Sequence, residues 1–177
     1  MTRHDPLPID PIAEAKRQWI AHGWDDAAEG MTVVTSIMRA QQLLMARIES
    51  ALRPFHLTFA RFELLRLIAF THDGRVPLTR AVKRLQVHPA SVTSALDRLV
   101  KDGLVERERH PDDGRAAVLT ITDAGRDLVD RATAVLNGDV FADIGMPQED
   151  AVALVRIIAR FRERQADFVI RPTPDRL

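Results

Sequence analysis

Between Leu78 and Thr122 the hydrophobic period changes from helical to alternating, and that change limits the folds open to the chain. The segment LTRAVKRLQ places Leu78, Val82 and Leu85 on one face of a short helix. Only Gln86-Val87-His88 separate it from a second helical pattern beginning at Pro89. There Val92, Leu96, Leu99 and Val100 form the apolar face. Two short helices joined by three residues read as a helix–turn–helix. Gly103 is a C-cap residue for the second helix. Beyond it Ala117, Leu119 and Ile121 alternate with Ala116, Val118 and Thr120, the pattern of a strand with one buried face. The intervening Pro111-Asp112-Asp113-Gly114-Arg115 has turn composition, so a hairpin with a charged tip follows the two helices.

Amphipathic helices flank this module. Asp10-Pro11 opens one, carrying Ile12, Ala15, Trp19 and Ile20 as far as His22-Gly23. A longer one runs from about Ala28 to Arg53, repeating Val34, Ile37, Met38, Leu44, Met45, Ile48 and Leu52, and Pro54 ends it. A third, from about Thr58 to Phe70, turns Phe62, Leu65, Ile68 and Ala69 inward, and THDGRVP reads as a turn. After the hairpin Thr122 caps a helix through about Val140, and IGMP breaks it. Pro147 opens a last helix with Gln148, Glu149 and Asp150 in its first turn and a stripe of Leu154, Ile157, Ile158, Phe161 and Phe168. One copy of the central module cannot cover all these stripes, so a homodimer paired through terminal helices is expected. The fold class is mainly α with a small β-wing, a winged helix–turn–helix flanked by N- and C-terminal dimerisation helices. The expected organisation is a mobile tail over 1–8, dimerisation and pocket helices over 9–57, the winged module over 58–122 and dimerisation helices over 123–177.

Composition narrows the function classes. Of 177 residues, 46% are hydrophobic and 28% charged, enough for a globular core. The net charge is zero, so any basic surface must be local. With no cysteine there are no disulfides, cysteine zinc sites or thiol chemistry. The histidines at 4, 22, 56, 72, 88 and 110 include no pair at helical ligand spacing, so no metal is expected. Ser91, Thr93 and Ser94 have no partnered His and Asp, and glycine-rich phosphate loops are absent, so neither catalysis nor a cofactor is expected. No apolar run approaches a membrane span and the Pro- and Asp-rich N-terminus lacks signal-peptide character, which makes a cytoplasmic protein the expectation.

The three-residue turn is that of DNA-binding helix–turn–helix motifs, and the second helix shows Ala90, Ser91, Ser94, Asp97, Arg98 and Lys101 opposite its core face. Small hydroxylated residues there permit close approach to bases and phosphates. From Arg75 to Arg126 ten Lys/Arg stand against seven Asp/Glu, with the basic residues at both flanks and the tip. The stretch VHPASVTSALDRLVKDGLVERERHPDDGRAAVLTITDAGRDL resembles the winged-helix signature of the MarR family of transcription regulators. The shared elements are S-V-T-x-x-L-D-R-L, G-L-V-E-R, a D-x-R tip and a closing L-T-x-T-x-x-G, and the order of flanking helices fits along almost the whole chain. The resemblance implies a homodimer on a double-stranded DNA operator, with the second helix in the major groove and the wing tip in the adjacent minor groove. His88, Ala90, Ser91, Thr93, Ser94, Arg98, Lys101, Asp113 and Arg115 are its implied DNA residues, Arg115 entering the minor groove and Asp113 bracing it. Gly114 departs from the bulkier residue frequent there and implies a looser tip.

The segment DPIAEAKRQWIAHGW extends the family plan and resembles its urate-responsive branch, whose added helix carries a tryptophan over a ligand pocket. Trp19 falls at that tryptophan, Glu63 at a branch aspartate and Arg107 at a branch arginine, while Ala95 stands where the branch has another arginine. With one arginine missing and the carboxylate a methylene longer, the resemblance implies a small aromatic or anionic effector other than urate. The alternatives are Trp19 as a packing anchor, Glu63 and Arg107 as a structural ion pair, and a ligand-blind DNA-binding or architectural dimer.

Overall fold

The computed structural model describes residues 7–85, 89–109 and 117–168. The chain divides into two compact units between Arg47 and Ile48, within one long helix.

In the N-terminal unit, α1 (Pro11–Ala21) starts where expected, with the Asp10 carboxylate accepting the Ile12 amide at 2.9 Å and Pro11 in the first turn. It ends in a left-handed glycine, Gly23, whose amide donates to the Ile20 carbonyl while the Trp24 amide donates to that of Trp19. This is a Schellman cap, and the hydrophobic contact that accompanies such caps is here Trp24 set edge-on to Trp19 at 5.4 Å. Helix α2 (Asp25–Leu52) begins three residues before the expected Ala28, with Asp25 and Asp26 in its first turn, where carboxylates suit the helix dipole. Lys16 of α1 forms an ion pair with Glu29 of α2.

The second unit contains the end of α2, where Ile48 and Leu52 are buried, and a 3-10 turn, Arg53–Phe55. His56 then takes a left-handed conformation, φ 53°, and Thr58 caps α3 (Phe59–Ala69) by accepting the Arg61 amide. Phe62, Leu64, Leu65 and Ile68 of α3 are buried, whereas Ala69 is only half-buried. Next come β1 (Arg75–Pro77), α4 (Leu78–Arg84), α5 (Pro89–Lys101), β2 (Val105–Arg109), β3 (Ala117–Ile121) and α6 (Asp123–Leu136). A π-helical turn, Asn137–Phe141, extends α6, and α7 (Gln148–Arg164) follows.

Three expectations need correction. Arg75–Pro77, read as part of a turn, is a strand, and it pairs antiparallel with β3 through Val76 opposite Leu119. The sheet order is therefore β1-β3-β2 with β3 central, and Val118 is buried on one face of β3 as well as Leu119 and Ile121 on the other. Val100 is exposed, and Ala95 instead joins Val92, Leu96 and Leu99 in the buried face of α5.

Two polar arrangements fasten this unit. The Thr122 hydroxyl accepts the Gly125 amide and donates to the Gly103 carbonyl, joining the start of α6 to the turn that ends α5. Arg66 of α3 donates to the Val129 carbonyl at 2.8 Å and pairs with Asp130 at 2.7 Å, holding α3 against α6. By contrast α7 buries none of its residues within the chain. No described helix is long and apolar enough to cross a membrane.

Candidate nucleic-acid interface

Helix α5 is positioned from beneath by α3 and β2. Its buried face fixes its rotation, so Ser94, Asp97, Arg98 and Lys101 are exposed, as expected from their spacing, and Thr93 is exposed with them. Its C-terminus is set by Gly103 at φ 70°, with the Leu104 amide donating to the Leu99 carbonyl and the Gly103 amide to that of Val100. Another Schellman cap thus turns the chain from α5 directly into β2. Arg98 is tied to Asp102 one turn on, at 2.9 Å. Ala90 and Ser91 stand in the first turn of α5 as backbone positions. His88, and the wing tip with His110, Asp113 and Arg115, lie outside the described residues. The wing strands pair as far as Arg109 opposite Ala117.

The proposed effector residues belong to different elements. Trp19 belongs to the N-terminal unit, half-buried against Trp24. Glu63 lies on α3 and Arg107 on β2, where Arg107 is exposed opposite Leu119. No ion pair joins Glu63 to Arg107 among the described residues. Burial raises the Glu63 carboxyl above its ordinary pKa of 4.5. Because its folded pKa lies above the unfolded value, it costs stability as pH rises through that range. Ala95, where the urate-responsive branch has arginine, is buried.

A cleft that no sequence motif points to opens beside α5. It has a volume of about 610 Å³ and is lined by Glu49, Arg53, His56, Thr58 and Arg61 at the α2–α3 junction and by Arg98 of α5. Arg61 donates from Nε to the Thr58 hydroxyl at 3.3 Å and sits 4.0 Å from the Asp102 carboxylate that also holds Arg98. The spacing of residues 53, 56 and 61 matches no helical period, because the left-handed turn at His56 is what gathers them.

A helix pair closed by a three-stranded sheet, with an exposed polar second helix and an attached hairpin, defines a winged helix–turn–helix protein. A family model described as MarR family matches residues 57–116. The MarR family transcriptional regulator Sco5413 of Streptomyces coelicolor is 38% identical, superposes with a TM-score of 0.72, and is matched over 80% of this chain and 99% of its own. The chain belongs to the MarR family of transcription regulators. Sco3205 of the same organism, solved in complex with DNA, is 25% identical with a TM-score of 0.67, over 77% of this chain and 87% of its own. The HTH-type regulator YhbI of Bacillus subtilis (strain 168) is 33% identical over 85 residues, 48% of this chain and 54% of that protein. The chain spans about half the length of the first curated relatives it matches.

Proposed function

We propose that this regulator is a homodimeric repressor that binds a pseudo-palindromic operator and is released by a small aromatic or anionic effector. The observation that carries the DNA reading is the exposed face of α5, where Thr93, Ser94, Arg98 and Lys101 share one surface beside the wing. By resemblance to the family, His88, Ala90 and Ser91 are further DNA contacts, and two such helices about a two-fold axis would read half-sites about one helical turn apart. The solved complex of Sco3205 with DNA supports the same partner for this chain. By resemblance to the family, Asp113 braces Arg115 and Arg115 enters the minor groove. Arg115→Ala is therefore expected to weaken operator binding by about 1–3 kcal/mol and to lower its salt dependence slightly. A gel-shift titration with unchanged affinity would shift the weight from the wing to α5.

Support for the dimer comes from apolar residues left uncovered in one chain, including Val34, Ile37 and Met38 on α2 and Leu154, Ile157 and Phe161 on α7. Exposed apolar stripes of this kind are normally covered by a partner. Domain roles follow from that reading: dimerisation at both ends, DNA contact over 58–122, and no catalytic step.

The effector reading assigns Trp19, Glu63 and Arg107 to one site. An aromatic acid should then quench tryptophan fluorescence and weaken operator binding together. Arg107→Ala should abolish both responses while ligand-free affinity stays within a few-fold, because its partner is the ligand, and folding should tolerate the change, because an exposed ion pair contributes only about 0–1 kcal/mol. A large drop in melting temperature or ligand-free DNA affinity would defeat this assignment. The competing ligand-blind dimer is favoured by one observation, the use of Trp19 as the hydrophobic partner of the α1 cap. A thermal-shift screen with aromatic acids on the wild type and Arg107→Ala separates the two, since an effector site gives a rise in melting temperature that is lost with Arg107.

A further inference from the structure

The cleft at the α2–α3 junction takes no part in the base reading or effector binding proposed above, and three of its lining side chains are guanidinium groups against one carboxylate. We infer that Arg53, Arg61 and Arg98 form a clamp for a backbone phosphate of the DNA duplex, outside the base-reading part of α5; the identity of the partner rests on the proposed function.

Three guanidinium groups line the cleft, and two of them are oriented by the protein itself. Asp102 holds Arg98 through Nε, and the Thr58 hydroxyl with Asp102 holds Arg61. A guanidinium has five N–H donors, so a single contact through Nε leaves the terminal fork of Arg98 available for a second acceptor. Phosphate oxygens match that fork in a bidentate geometry. Arg53 is exposed and makes no ion pair among the described residues, so its guanidinium donors are available, and the three arginines outnumber the single carboxylate of the lining, Glu49.

Position selects the duplex over a free anion. Arg98 lies four residues after Ser94 on the same exposed face of α5, about 6 Å along the helix. A duplex whose major groove admits Ser94 therefore brings a flanking strand within reach of Arg98. The cleft is also open: Glu49, Arg53, His56, Thr58 and Arg98 are all exposed. Small-molecule sites instead bury about 70–90% of their ligand behind mostly apolar walls. An open, arginine-lined cleft suits a phosphate presented from outside on a polymer.

The test uses the full-length protein, a duplex selected from a random pool by the wild type, and an unrelated duplex of equal length. Affinities for both are measured by fluorescence anisotropy across a salt series. Because one phosphate carries about 0.9 in log–log slope and is shared here by three arginines, Arg53→Gln should flatten the salt dependence by about 0.3–0.9 and weaken binding roughly two- to eightfold near 0.1 M salt. The loss should be equal on both duplexes, since a phosphate contact carries no sequence information. Arg61→Gln should behave likewise, and an unchanged melting temperature of Arg53→Gln establishes that folding is intact. An unchanged slope in Arg53→Gln overturns the clamp. So does a variant with normal DNA binding that has lost a thermal shift given to the wild type by inorganic phosphate or benzoate, which would make the cleft a free-anion site. A wild type that binds neither duplex removes DNA as the partner, and the clamp with it.

Discussion

Replacing Ile157 and Phe161 together by aspartate should convert the protein to a monomer and weaken operator binding at least about a hundredfold. The two positions are one helical turn apart on α7 and are 53% and 59% exposed in the single chain. Neither supports the fold of the chain that carries it, so the winged unit, with Leu65, Leu96, Leu99 and Leu119 fully buried, should still fold. In the proposed dimer the same positions face a partner's apolar helices. Four carboxylates across a two-fold interface would each lose hydration without gaining a partner, at an effective cost of several kcal/mol per ion. An operator with two half-sites is bound tightly because the second half-site is met at high effective concentration, a gain of about 10²–10⁴ that a monomer forfeits. Sedimentation at micromolar concentration should show a dimer for the wild type and a monomer for the variant. A folded wild-type monomer, or a variant that stays dimeric, would refute the assignment of α7 to the interface.

Gly125→Ala should lower stability by about 2 kcal/mol, with the melting temperature about 4–8 °C below that of the wild type. A methyl group at Gly125 would stand 2.2 Å from the Leu104 carbonyl oxygen and 3.0 Å from Ile121 Cγ1. That oxygen cannot withdraw freely, because it accepts the Thr122 amide at 3.1 Å while the Leu104 amide completes the cap of α5. Overpacking of this kind costs about 3 kcal/mol, offset by about 1 kcal/mol because alanine is the better helix former. The internal control is Gly138→Ala, where nothing lies within 4 Å of the added carbon and stability should be unchanged or slightly higher. Calorimetry on the two variants decides it. Equal melting temperatures would mean that α6 can move off the α5–β2 turn at little cost.

Much of this architecture is a local property of the chain. The start of α1 at Asp10-Pro11, the cap of α3 at Thr58 and the stop of α5 at Gly103 follow from single residues whose side chains or φ angles complete backbone hydrogen bonds. The faces of α5 follow from the 3.6-residue period, which is why spacing alone puts Ser94, Arg98 and Lys101 on the outside.

What the local pattern could not reach is whatever depends on residues distant in sequence. Strand β1 has only three residues and includes a proline, too short to carry a period, and it exists because β3 offers it a hydrogen-bonding edge. Both faces of β3 are buried, contrary to the one-sided alternation of its sequence, because helices from elsewhere in the chain pack on it. Ala95, absent from the apolar face that the period picks out, is buried while Val100 is not, because the elements packed against α5, α3 and β2, decide which flank is covered. The arginine cleft has the same origin. Residues 53, 61 and 98 are brought together by a left-handed turn at His56 and by a helix nearly forty residues away, a juxtaposition no spacing rule encodes. The sequence alone determined the helices, their caps and the polar face of α5, since each depends on neighbours within a turn or two. Only the tertiary structure decided the third strand, the second buried face of the sheet and the arginine cleft, because each is completed by groups that the chain brings near only once it has folded.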